Sequence, residues 1–163
     1  MYAAGEEPPT PTSPTKRVGK GILLVGLGNP LRRDDGVGYR AALELESQGF
    51  PAIALTQPLP ELAHDLAQAE RVIFLDADVS LPPGEISLRA TCPTESETLS
   101  HSLGPEGLLA LAGVVSGRIP ASRVLSLGVA DLSYGEGFSP QVAAAFAEYL
   151  RQAQALLEDL CTS

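Results

Sequence analysis

Short apolar runs and amphipathic repeats alternate along the chain. Ile22-Leu23-Leu24-Val25 is a continuous apolar run, the pattern of a strand buried on both faces. Tyr39, Ala42, Leu43 and Leu45 to about Gln48 predict a first helix, stopped by Gly49 and Pro51. Ala52–Leu55 predicts a short second strand, and Glu61–Ala69, with Leu62 and Leu66 four apart, a second helix. Arg71–Leu75 reads as a third strand, apolar beyond its first residue and expected at the centre of a sheet. Glu85–Ala90 alternates polar and apolar, as a half-exposed edge strand does. A third helix over about Pro105–Val115 and a fifth strand over Arg123–Val129 follow. The last helix opens with Ser139 as N-cap and Pro140 at its first position, and carries Val142, Phe146, Tyr149, Leu150, Ala153, Leu156 and Leu157 at three- and four-residue spacing.

The order β-α-β-α-β-β-α-β-α, without internal repeat, predicts an α/β fold. It is a single-domain three-layer α/β/α arrangement, an open, mostly parallel sheet of about five strands with helices on both faces. The domain is expected over residues 21–160. Met1 to about Lys20, rich in Pro, Thr and Glu and without periodicity, reads as a disordered tail.

A length of 163 residues suits one domain with a sizeable core. The formal net charge of -9 opposes a nucleic-acid or anionic-membrane partner. The two cysteines, Cys92 and Cys161, are far apart and form neither a disulfide framework nor a zinc pair. No apolar run approaches the roughly 20 residues of a membrane span, and the N-terminus has no apolar signal core. A cytoplasmic monomer is the expectation.

The chemistry concentrates where strands end. Gly26, Gly28, Asn29 and Pro30 break the first strand into a tight loop, and Asp34-Asp35 follows just before Gly36-Val37-Gly38. In an open parallel sheet such a loop lies at the carboxyl end of its strand, where these folds place their sites. One member of the pair can cap the following helix while the other is solvated. Asp76, ending the third strand, takes the same topological position. His101 stands in a loop ahead of the third helix, whereas His64, beside Asp65 on an amphipathic helix, reads as a solvated surface residue. Asp35, Asp76 and His101 form a candidate set: two carboxylates and an imidazole suit a borderline divalent ion such as Ni²⁺, Zn²⁺ or Mn²⁺. Gly26-x-Gly28 is half of a dinucleotide fingerprint, but Leu31 replaces the third glycine and two aspartates stand where a pyrophosphate would sit. Gly26-Leu27-Gly28-Asn29-Pro30 also resembles the start of bacterial peptidyl-tRNA hydrolases. The Thr-Arg-His-Asn stretch and the basic face expected of those enzymes are replaced here by Arg33-Asp34-Asp35-Gly36 and an acidic balance.

Taken together, GLGNPLRRDDGVG, FLDADVS and SHSLGPEGLLALA resemble the [NiFe] hydrogenase maturation proteases. The resemblance runs from about Gly21 to Leu157. Gln57–Ala63 and the Ser100-to-Pro105 loop look like the subgroup serving bidirectional or NAD(P)-linked cytoplasmic enzymes. It implies an aspartyl-type endopeptidase that removes a C-terminal extension from the large-subunit precursor of a hydrogenase. The family's metal-binding trio falls on Asp35, Asp76 and His101; Asp35 stands where Glu is common, one methylene shorter, and Asp34 takes a supporting place. The metal so implied is the nickel of the substrate, with no permanently bound cofactor. Two mechanisms stay open: a metal held by the trio polarises the scissile carbonyl and its bound water, or the trio reads nickel while Asp76 acts as general base. A non-catalytic nickel or precursor chaperone using the same acidic pocket is the alternative from a different class.

Overall fold

The computed structural model of the protein describes residues 21–57, 59, 61–91, 93 and 104–162, with only the backbone of 160–162. The tail expected over Met1–Lys20, His101, Cys92 and the side chain of Cys161 lie outside the described residues. Along the chain come β1 (Ile22–Leu27), a 3-10 turn (Arg33–Gly36), α1 (Val37–Ser47), β2 (Ala52–Leu55), α2 (Leu62–Gln68) and β3 (Arg71–Asp78). After them come β4 (Ile86–Thr91), α3 (Pro105–Ser116), β5 (Ala121–Gly128) and α4 (Pro140–Thr162). The five strands form one sheet in the order β2-β1-β3-β5-β4. All neighbours are parallel except β4, which runs antiparallel on β5.

The apolar runs dictate this arrangement. Along β1 and β3 successive side chains point to opposite faces, and both faces are covered. Ile22, Leu24, Ile73, Leu75, Leu125 and Leu127 face α1 and α4, joined by Ala41, Leu45, Val142, Tyr149 and Leu157. Leu23, Val25, Val72, Phe74 and Val124 face α2 and α3, joined by Leu62, Leu66, Leu108 and Leu109. Two cores thus sandwich one sheet, with β3 at its centre. Alternating β4 takes the edge, half exposed, as its pattern requires. β5 begins at Ala121, two residues earlier than the apolar run suggests, because its first residues pair with Arg71 and Val72 of β3.

Strand order places the site. From β1 the chain passes to β2 on one side, whereas β3 leads to β4 and β5 on the other. The crevice between the carboxyl ends of β1 and β3 is therefore the topological switch point. α1 closes onto that crevice through Gly38, where a Cβ would overlap the carbonyl oxygen of Leu75. Neither backbone can yield without moving a central strand. Gly38→Ala is expected to destabilise the fold by about 1–3 kcal/mol through overpacking, read as a lower urea midpoint at unchanged slope.

Candidate active site

After Leu27 the backbone turns at Gly28, which has φ 141° and whose missing Cβ makes room for the carbonyl oxygen of Asp35. Asn29 organises the loop: its Oδ1 accepts from Leu31 N–H at 2.9 Å and its carbonyl from Arg32 N–H at 3.1 Å. The chain then enters the 3-10 turn with Arg33 in left-handed backbone at φ 44°. The turn lies against β3 and delivers two adjacent carboxylates into different surroundings.

Asp34 is fully buried. Its Oδ2 accepts from Ala130 N–H and Asp131 N–H, each at 2.9 Å, and from the Ser139 hydroxyl at 2.7 Å. Its Oδ1 accepts from Ser139 N–H at 2.7 Å. Burial alone would raise its pKa; the Ser139 hydroxyl and the N–H groups of Asp131, Ser139 and Ala130 outweigh that and hold the carboxyl below the ordinary value. Asp34 therefore joins the loop after β1 to the loop after β5 and to the start of α4. Ser139 occupies the N-cap position, its carbonyl accepting from Ala143 N–H at 2.9 Å, but its hydroxyl is given to Asp34. α1 has no side-chain cap, so the expected capping aspartate serves a different segment.

Asp35 is half-buried and points back: Oδ2 accepts from Asn29 N–H at 3.0 Å. Asp76, in β3 opposite Ser126 of β5, is also half-buried, with Oδ1 accepting from Ala77 N–H at 2.9 Å. Burial pushes its carboxyl up to about 7; the Ala77 bond opposes the shift, and the charges of Asp35, Asp78 and Glu106 add to it. Asp35 and Asp76, from separate segments, thus belong to one acidic cluster at the strand ends. Sequence reasoning missed two of its neighbours. Glu106, in the first turn of α3, is held by Arg89 at 2.8 Å and by Thr91 at 2.9 Å. Tyr149, counted as an ordinary apolar residue of the last helix, is wholly buried and donates its hydroxyl to the Leu125 carbonyl at 2.6 Å. Its phenol is pushed up by burial and by the charge of Asp76. A tyrosine on an otherwise wholly apolar stripe was the available signal, since a buried phenol needs a partner.

Among the described residues no three His, Cys, Asp or Glu side chains gather into a metal site. His101 is outside them, so Asp35 and Asp76 are the members of the candidate trio whose surroundings are visible. His64 is exposed beside Gln68, as a surface histidine should be. Among the described residues no helix is long and apolar enough to cross a membrane.

The two aspartates of the pair should separate in a denaturation series. Asp34→Asn turns one acceptor oxygen into an NH₂ group facing N–H donors and is expected to cost about 3 kcal/mol. Asp35→Asn keeps an acceptor for Asn29 and should cost less than about 1 kcal/mol. Asp76 behaves in the opposite sense. Its folded-state pKa is raised from 3.8 to about 7. The stability tied to its neutral form is therefore complete below pH about 4 and lost as pH rises through about 7, roughly 4 kcal/mol in all. Asp76→Asn should match the wild-type melting temperature near pH 4 and exceed it at pH 8. Equal melting at both pH values would remove this burial argument.

No protein-family model and no curated protein matches the chain. Its structure does resemble solved ones. The hydrogenase maturating endopeptidase HybD from E. coli is 27% identical over 85% of this chain and 92% of that one, with a TM-score of 0.68. The hydrogenase 2 maturation peptidase from Thaumarchaeota archaeon SCGC_AB-539-E09 is 27% identical over 85% and 99%, with a TM-score of 0.59. The [NiFe] hydrogenase maturation protease HybD from Thermococcus kodakarensis, 24% identical over 83% and 97% at a TM-score of 0.68, shares the fold. The acidic loop after β1 and the carboxylate near the end of β3 are thus carried on a fold similar to that of [NiFe] hydrogenase maturation proteases.

Proposed function

We propose that this chain removes the C-terminal extension from the nickel-loaded large-subunit precursor of a [NiFe] hydrogenase. The observation that carries the proposal is the closeness of Asp35 to Asp76 at the switch point of the sheet. The charge of Asp35 adds to the raised proton affinity of Asp76, and a cation beside both carboxylates would relieve that repulsion. The solved endopeptidase from E. coli, of similar fold and 27% identity, supports the class of reaction.

In this reading Asp35, Asp76 and His101 recognise the nickel of the substrate, which marks the precursor as ready. Asp76 also serves as general base. A group with a pKa of about 7 is well matched to taking a proton from water at neutral pH. The water oxygen attacks the scissile carbonyl carbon, its proton passes to Asp76, and Asp76 returns a proton to the leaving amine as the C–N bond breaks. Asp34 performs no step; it fixes the turn on which Asp35 stands.

The test is intact mass of a large-subunit precursor incubated with the chain, with and without nickel loading. Loss of a C-terminal peptide from the nickel-loaded form alone is expected. Cleavage of both forms would keep the peptidase and discard nickel recognition. A stable complex without any loss of mass would favour the chaperone. Asp76→Asn is expected to lower the cleavage rate by about 10²–10⁴-fold, whereas Asp35→Asn and His101→Ala should weaken discrimination between nickel-loaded and nickel-free precursor. Wild-type processing by all three variants would overturn the assignment of the trio.

A further inference from the structure

The loop that carries Asp34 and Asp35 also builds a surface that hydrolysis itself does not use. It is joined to the loop after β5 by its backbone. Gly135 N–H donates to the Leu31 carbonyl at 2.9 Å, and Arg33 N–H donates to the Gly135 carbonyl at 3.2 Å. Arg32 and Gly135 pair as an isolated parallel bridge. On this ridge Leu31 is 61% exposed and Tyr134 80%. Between them Arg32 donates from Nε to the Leu132 carbonyl at 3.1 Å and sets its guanidinium 5.4 Å from the centre of the Tyr134 ring.

The ridge is held in one shape against local preference. Arg33 keeps left-handed backbone, and its guanidinium packs where a side chain at Gly135, itself at φ 149°, would collide. Leu31 and Tyr134 turn most of their apolar surface to water instead of to the core. Tyrosine and arginine are the residues that dominate binding hot spots, and a preformed surface loses less freedom on association. Val79, 72% exposed, and Leu59, 44%, follow β3 and β2 and carry the apolar character along the same end of the sheet.

We infer that the Leu31–Arg32–Tyr134 ridge is the docking surface for the large-subunit precursor, an inference that rests on the proposed function. The ridge runs directly into Asp34-Asp35, so a protein seated on it lies beside the acidic pocket. Arg32 and Arg33 are adjacent cations in a chain of net charge -9; Arg33 is turned onto Asp131 and the Glu136 carbonyl, which leaves Arg32 as the cation that faces a partner. The complementary patch on the precursor is therefore apolar, with a carboxylate or carbonyl oxygen for Arg32.

The experiment measures binding and cleavage of a nickel-loaded large-subunit precursor by the full chain. It compares wild type with the Leu31→Ala/Tyr134→Ala double variant, with Arg32→Gln, and with Val114→Ala as control. Val114 is 84% exposed at the opposite end of the sheet. Thermal melts confirm that each variant folds. The double variant is expected to weaken binding and raise KM about tenfold or more, Arg32→Gln to do so severalfold, and Val114→Ala to change neither. If wild type cleaves and the ridge variants keep its KM and affinity, the docking surface is overturned and the peptidase stands. If wild type binds without cleaving and the ridge variants lose binding, the peptidase reading falls and the docking surface stands. A wild-type chain that neither binds nor cleaves overturns both.

Discussion

The buried carboxylate of Asp34 is the constraint on which the site depends. Loops are the least ordered parts of most folds, because their backbone groups can turn to water instead of to a fixed partner. Here two loops leave neighbouring regions of one sheet end, and a single side chain accepts from both the backbone and the hydroxyl of the opposite loop. A charge removed from water is tolerable only when nearly all its acceptor capacity is filled. That condition makes the geometry cooperative. Residues 130, 131 and 139 must all be in place for Asp34 to be buried, and Asp34 must be buried for Asp35 to stand where it does.

Asp76 shows the reverse condition. It has one backbone N–H donor, partial burial and three acidic neighbours, so its charged form is poorly supported by the folded chain. Nothing in the packing of β3 requires a carboxylate there; the strand is already secured by pairing with β1 and β5 on either side. Groups held in surroundings that disfavour them, inside a crevice, are candidates for chemistry, because the same desolvation that costs stability sets proton affinity. The contrast with Asp34 is instructive. Both are carboxylates taken out of water at one end of one sheet, but one is filled with donors and the other faces like charge.

The sequence carried the fold well, because buried strands and amphipathic helices leave periodic traces. The runs Ile22–Val25 and Arg71–Leu75 became β1 and β3, and the alternation over Glu85–Ala90 became the edge strand β4 with a shift of one residue. Gly26-x-Gly28 and Asp34-Asp35 marked the loop that matters, and Asp76 was placed at the end of the central strand by topology alone. What stayed hidden was long-range. The donors that fill Asp34 lie roughly a hundred residues away, and no local pattern reports which loop a carboxylate will face. Ser139 gave a correct local signal for a helix start, but its hydroxyl is spent on the distant partner. Tyr149 shared the spacing of its apolar neighbours, so its polar tip was invisible to periodicity. Glu106 read as an ordinary first-turn acid, favourable near a helix N-terminus; its effect on Asp76 exists only once α3 is packed.

Why two aspartates stand side by side follows from the short 3-10 turn itself. With three residues per turn, successive side chains leave the axis about 120° apart. Neighbours in sequence are thereby turned toward different surroundings. Asp34 is turned toward the loop after β5, and Asp35 toward Asn29 and the strand ends. The tight turn lets one aspartate anchor the segment while the next is presented to the pocket. The repulsion between the adjacent carboxylates is answered on one side only, by the donors around Asp34. The acidity left over is concentrated at Asp35 and Asp76, where a positively charged partner would be met.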